Sequence, residues 1–238
     1  RRPSLLMGFL LVALVVPTTA NAHAGLRHGT PNHRITRSTS TNWAGYAATG
    51  GRFTSVSATW KQPAASCTSA TSYSSFWVGL DGYSSSTVEQ TGTDADCSGG
   101  SPVYYAWYEM YPKFPKNLTL AIHPGDTIHA SVTTAGTGSF TLTITNRTTG
   151  ASFTTHQKLR SAKLSSAEVI AEAPSSSGGV LPLTNFGTVG FSAANVNNHA
   201  IGSFNPDRIT MVTSGGTVKA STSALSSGTA FSVTWKHS

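Results

Sequence analysis

Charge is what this sequence has least of. Of its 238 residues 11% are Asp, Glu, Lys or Arg, nine acidic against sixteen basic, for a formal balance of +7. Arg1, Arg2, Arg27, Arg34 and Arg37 all precede the first strand-like stretch, so the basic residues do not interleave with aromatics along one groove, and no nucleic-acid partner is expected. Cysteine is as scarce, with two residues, Cys67 and Cys97. Long apolar runs are missing: Leu5 to Val16, broken by Gly8, falls short of the roughly 20 residues that a membrane span needs. There is no HExxH, no GxSxG and no set of His and carboxylates at ligand spacing, so no metal is expected. Helical periodicity is lacking as well.

What remains is the composition of an exported β protein. Hydrophobic residues make up 38% and there are five Trp, enough burial to offset the entropy of ordering the chain. Arg1 and Arg2, the apolar run and Ala20-Asn21-Ala22 read as a signal peptide over residues 1–22. Residues 23–40, polar and cationic, read as an exposed tail or a short pro-segment removed on activation. Short alternating runs separated by Gly, Pro, Asn and Ser turns fill 41–238, which predicts one all-β domain, a sandwich or barrel. Export places both cysteines in an oxidising compartment and predicts a Cys67–Cys97 disulfide. After signal removal the protein is expected to be secreted, extracellular, free of the membrane and monomeric.

The scarce carboxylates sit in conspicuous places. Asp81, Glu109, Glu168 and Glu172, together with Gln90, lie within the aromatic-rich runs FWVGLDG, STVEQTG, YYAWYEM and AEVIAEAP. Alternation puts Glu168, Ile170 and Glu172 on one face of a strand, yet four residues separate the two carboxylates by roughly 13 Å at about 3.3 Å per residue. They cannot serve one reacting atom, and periodicity alone does not choose between them.

Five motifs, NWAG (42–45), WVGLDG (77–82), EQTG (89–92), AWYE (106–109) and AEVIAE (167–172), stand in the order and approximate spacing found in the glutamic peptidases, the eqolisin family first described in fungi. The chain resembles that family from Thr41 onward. The resemblance implies a concanavalin-like sandwich of two antiparallel sheets, endopeptidase activity on proteins or peptides at acidic pH, and no metal or cofactor. It assigns the catalytic pair to Gln90 and Glu172, and supporting or substrate-lining positions to Trp43, Trp77, Asp81, Trp107 and Glu109. In such a pair Glu172 would take a proton from water as general base while the Gln90 amide holds the oxyanion. The fungal pattern is departed from at Tyr83 and Tyr105, where Asp is usual, and at Val169, where an aromatic is usual. All three are expected to line or neighbour the cleft. Two readings compete: a lectin-like or carbohydrate-binding sandwich without catalysis, and a glycosidase, which would need a second acid near Glu172.

Overall fold

The structure, a computed structural model, describes residues 25–28 and 38–238. The signal-peptide assignment and most of the 23–40 tail lie outside the described residues.

Where threonine and other polar side chains alternate with apolar ones, the backbone forms strands that bury every second residue. Thr127–Thr134 buries Ile128, Ala130 and Val132, and Ser139–Asn146 buries Phe140, Leu142 and Ile144. Their other faces carry hydroxyls that pair across strands, as in Thr143 with Thr154 and Thr145 with Ser152. A face of Ser and Thr can meet water without charge, which accounts for the low content of ionic residues.

The strands form two antiparallel sheets. The first runs in the order Asp207–Val212, Trp43–Thr49, Ser166–Glu172, Ser75–Leu80, Val88–Ser98, Ser101–Tyr111, Lys116–Asn117. The second runs Ser152–Lys158, Ser139–Asn146, Thr127–Thr134, Ser55–Lys61, Thr188–Val196, Phe231–Trp235, Val218–Thr222, and ends on the same Asp207–Val212 strand. That shared strand pairs Ile209 with Gly45 in one sheet and Met211 with Ala220 in the other, which makes the two sheets one domain. Between them lies a core including Tyr46, Phe76, Val78, Tyr108, Val169, Trp60, Phe191 and Phe231. The Trp60 indole N–H reaches across to the Thr93 hydroxyl at 3.0 Å.

Cys67 and Cys97 are bonded, with Cα atoms 5.4 Å apart. Cys97 lies in the Val88–Ser98 strand. The tail reading needs correction at two places. Thr39 and Ser40 form a strand paired in parallel with Thr210 and Met211, so the folded domain begins ahead of residue 41. Leu26 and His28 are buried, 5% and 1% exposed, so this part of the segment is no exposed tail. A short polar sequence carries no periodicity from which docking could be read.

Candidate active site

The first sheet has a second apolar cluster on the face opposite the core: Trp43, Ala47, Trp77, Val88, Trp107, Ile170 and Ile209, all fully buried. Register fixes what stands among them. Gln90 lies opposite Gly79 on one side and Glu109 on the other, and Gly79 in turn lies opposite Glu168. Glu172 lies opposite Ser75 and Trp43, one end of the sheet away. Alternation within Val88–Ser98 sends Gln90, Gly92, Asp94 and Asp96 to this outer face and Glu89 to the other.

The Gln90 amide is oriented by two acceptors. Its Nε2 donates to the His28 main-chain oxygen at 2.5 Å and to Glu109 Oε2 at 3.2 Å. Two acceptors on one side of a carboxamide identify that side as the NH2, which turns Oε1 the other way. Gln90 Oε1 is buried and accepts no hydrogen bond from the described residues. Both Glu172 oxygens have donors: the Trp77 indole N–H meets Oε2 at 2.7 Å and the Asn42 amide meets Oε1 at 3.3 Å. Trp43 packs edge-on against Trp77, ring centroids 5.1 Å apart, and so holds the indole that holds the carboxylate.

The remaining carboxyls differ in surroundings. Burial pushes Glu168 well above the usual carboxylate range, and the neighbouring charges of Asp81 and Glu89 add to the effect. Burial, with Asp81 close by, pushes Glu89 up to about 9. Glu109 is also raised by burial, an effect that hydrogen bonding and charge from His28 partly offset. Burial and the charge of Asp94 together hold Asp96 well above its ordinary value. The Tyr105 hydroxyl lies 2.7 Å from Asp94 Oδ2 and 2.9 Å from Asp96 Oδ2. A phenol has one proton to donate, so the second of these contacts needs a proton from one of the two carboxyls.

Of the residues singled out from sequence, Gln90, Glu109, Glu168, Trp77, Trp43, Trp107 and Glu172 share one face, with Glu168 in the same row as Gln90 and Glu172 four residues further along its strand. Asp81 is not among them. It sits just past the end of its strand at φ 69°, and its carboxylate accepts three backbone N–H groups, of Lys163, Leu164 and Ser165, plus the Ser165 hydroxyl. It therefore ties down the loop that leads into the Glu172 strand, a supporting role. Val169 packs in the core between the sheets and also does not border the site, whereas Tyr83 reaches Asp207 and Tyr105 reaches Asp94.

Two participants were not foreseen. Asp94 accepts from the Ser75 hydroxyl at 2.6 Å and the Trp107 indole at 2.5 Å, and contacts His28 Nε2 at 3.2 Å. Its position four residues after Gln90 on the same face was the available signal. The imidazole of His28 stacks on Trp107, centroids 3.8 Å apart and planes 6° from parallel. Burial would lower its pKa, but Asp94 and Glu109 outweigh that and raise it well above the ordinary histidine value.

The comparisons with known proteins agree with this fold. The sequence model of the Peptidase A4 family matches residues 41–235. Scytalidopepsin B of Scytalidium lignicola is 40% identical over 111 residues, covering 46% of this chain and 41% of the relative. Aspergillopepsin-2 of Aspergillus niger is 29% identical over 187 residues, covering 61% and 66%. The chain thus spans less than two thirds of the length of either relative. Among solved structures, scytalido-glutamic peptidase with a transition state analog inhibitor superposes with a TM-score of 0.73 at 28% identity, over 82% of this chain and 98% of that one. The motifs, the two-sheet sandwich and the match over nearly all of the described domain have one reading: this chain belongs to the Peptidase A4 family, the glutamic peptidases.

Proposed function

We propose that this protein is a secreted endopeptidase that hydrolyses peptide bonds in acid through Glu172 and Gln90. The observation that carries the reading is the Gln90 Nε2–H donated to a main-chain carbonyl, that of His28. A group that already binds a peptide carbonyl from the correct side will bind the same oxygen more tightly once it becomes an oxyanion. Glu172, fixed by Trp77 and Asn42, is the general base: it takes a proton from water as the water oxygen adds to the carbonyl carbon, and returns it to the departing amine. Gln90 Oε1 faces away from its NH2 and can accept the second hydrogen of that water. Glu109, by accepting from Nε2, orients the amide without touching the carbonyl carbon.

Sugar chemistry is a poorer fit. A glycosidase needs two carboxyls flanking one bond, and the second Glu of the strand, Glu168, lies four strand residues from Glu172, roughly 13 Å away. A lectin would have no use for a buried amide held by a carboxylate. The test is digestion of a denatured protein at pH 3 to 7 with pepstatin, EDTA and a serine-protease inhibitor all present. Cleavage that persists in acid under all three supports the reading, and its complete suppression by any one of them overturns it.

A further inference from the structure

Lys219 is a buried lysine without a counter-charge. It is 7% exposed, in the Val218–Thr222 strand, and its side chain has neither an ion pair nor a hydrogen bond among the described residues. Burial pushes the ammonium below the ordinary lysine value, and no neighbouring charge opposes the shift. A lysine buried this far is as a rule paired, because a desolvated charge is costly. Its backbone is also held in place: the main-chain oxygen accepts from the N–H groups of Lys236 and His237, at 2.8 and 3.1 Å.

The lysine borders a cavity of about 520 Å³, within the roughly 300–1,000 Å³ typical of small-molecule sites. One wall comes from the hairpin of Ser175–Ser176 and Gly179–Val180 with the two residues after it; another is the turn that joins Asp207–Val212 to the lysine's own strand. Val180, Leu181, Pro182 and Val212 make much of the lining apolar, and no Asp or Glu reaches it. Thr41 is also in the wall, and its hydroxyl is a second buried polar atom with no partner among the described residues. An unpaired ammonium and an unpaired hydroxyl beside an apolar hollow are the elements of a site for a small organic anion.

We propose that this cavity binds a monocarboxylate carried on a short apolar body, with the carboxylate on Lys219 Nζ and the body against Val180, Leu181 and Val212. One ammonium matches one negative charge, whereas walls this apolar would leave the further oxygens of a phosphate or a dicarboxylate without donors. Two sources supply such a group: a peptide that ends in an apolar residue, and a free short-chain fatty acid. The peptide source rests on the peptidase reading above, since hydrolysis makes such termini; the site itself does not. None of Gln90, Glu109, Trp77 and Glu172 borders the cavity. It nevertheless abuts the same elements, for Thr41 precedes Asn42, a donor to Glu172, and the Leu181 N–H donates to the Pro174 oxygen two residues beyond Glu172.

The experiment is calorimetric titration at pH 6 of 4-methylpentanoate, N-acetyl-leucine and N-acetyl-leucine amide into the full chain, as wild type, Lys219→Met, Val180→Trp and Gln90→Ala, with a thermal melt of each before ligand is added. Wild type and Gln90→Ala should bind at least one of the two carboxylates alike, and the amide at least about 10-fold more weakly, the scale of losing a charge-assisted contact. Lys219→Met should lose the carboxylates by the same factor. Val180→Trp, which fills the hollow and leaves the ammonium in place, should lose them altogether. Tighter binding of N-acetyl-leucine assigns the peptide source, and tighter binding of 4-methylpentanoate the fatty acid. Lys219→Met should also melt higher than wild type, because an unpaired buried charge has gone. A lower melting temperature would show that the ammonium has a structural partner, and overturns the proposal. So does failure of both carboxylates to bind, equal binding of the amide, or undiminished binding to Lys219→Met. Because binding is read without hydrolysis, loss of the peptidase reading would leave this result standing.

Discussion

A carboxylate that accepts a proton from water must be ionised at the working pH, and this counts against one glutamate of the AEVIAE motif. Glu168, pushed well up by burial, keeps its proton in acid and cannot act as the base, whereas Glu172 has an indole and an amide donor on its two oxygens. Glu168→Gln should therefore retain turnover within a few-fold of wild type, measured as kcat on a reporter peptide at pH 4. Inactivity in a folded Glu168→Gln protein would mean that the wrong carboxylate has been chosen. At this scale the motifs made Gln90, Glu172 and Glu109 legible, because residue identity and spacing were enough to find them. Which of the two roles offered for Asp81, supporting or substrate-lining, applies was not legible, since an Asp after a strand looks the same in sequence whether it faces a site or caps a loop. His28 and Asp94 were missed because their pairing joins positions 66 apart, which no local pattern encodes.

The site depends on strands that come close together. Gly79 stands between Gln90 and Glu168, and a Cβ there would lie 3.1 Å from Gln90 Cβ, 3.0 Å from Trp77 Cζ3 and 3.2 Å from Val88 Cγ1. Each is tighter than ordinary contact, and two of the three neighbours belong to the machinery. Gly79→Ala should lower kcat more than it changes KM, by tilting Gln90 and the indole that holds Glu172. It should cost about 1–3 kcal/mol of stability, as overpacking does. Urea unfolding together with steady-state kinetics would separate the two effects; wild-type kcat in this variant would show that the row does not set the geometry. Strand existence was legible from alternation, and the two-sheet sandwich from the family resemblance. Strand order was not, nor was the use of Asp207–Val212 by both sheets, since pairing partners lie far apart in sequence.

Four buried carboxyls shift in one direction. Glu89, Asp96, Glu109 and Glu168 are all raised, each with burial as its largest cause. A carboxyl with a raised folded pKa binds a proton when folded that it has already lost when unfolded. Stability is therefore highest in acid and declines as pH climbs from the unfolded value toward the folded one. For Glu89 that window runs from about 4.5 to about 9. His28, also raised, contributes stability that is complete below its unfolded value and lost as pH passes its folded one, the same sense. Glu89→Gln should thus stabilise the protein near pH 7 by on the order of 3 kcal/mol and have little effect near pH 4. Thermal melts of both proteins at the two pH values would check it, and equal shifts at both would contradict it. The fold is arranged to be most stable where the proposed chemistry runs.

The central claim, that Gln90 and Glu172 form one catalytic pair, is tested most directly by single-turnover hydrolysis of a reporter peptide by Gln90→Ala, Glu172→Gln and the double variant, each first shown to be folded by its melting transition. The account predicts that Gln90→Ala is slowed by at least about 10²- to 10³-fold, the scale of losing one oxyanion donor. Glu172→Gln should be slower still, and the double variant no worse than Glu172→Gln alone, because neither partner works without the other. A folded Gln90→Ala protein with wild-type turnover would contradict the account.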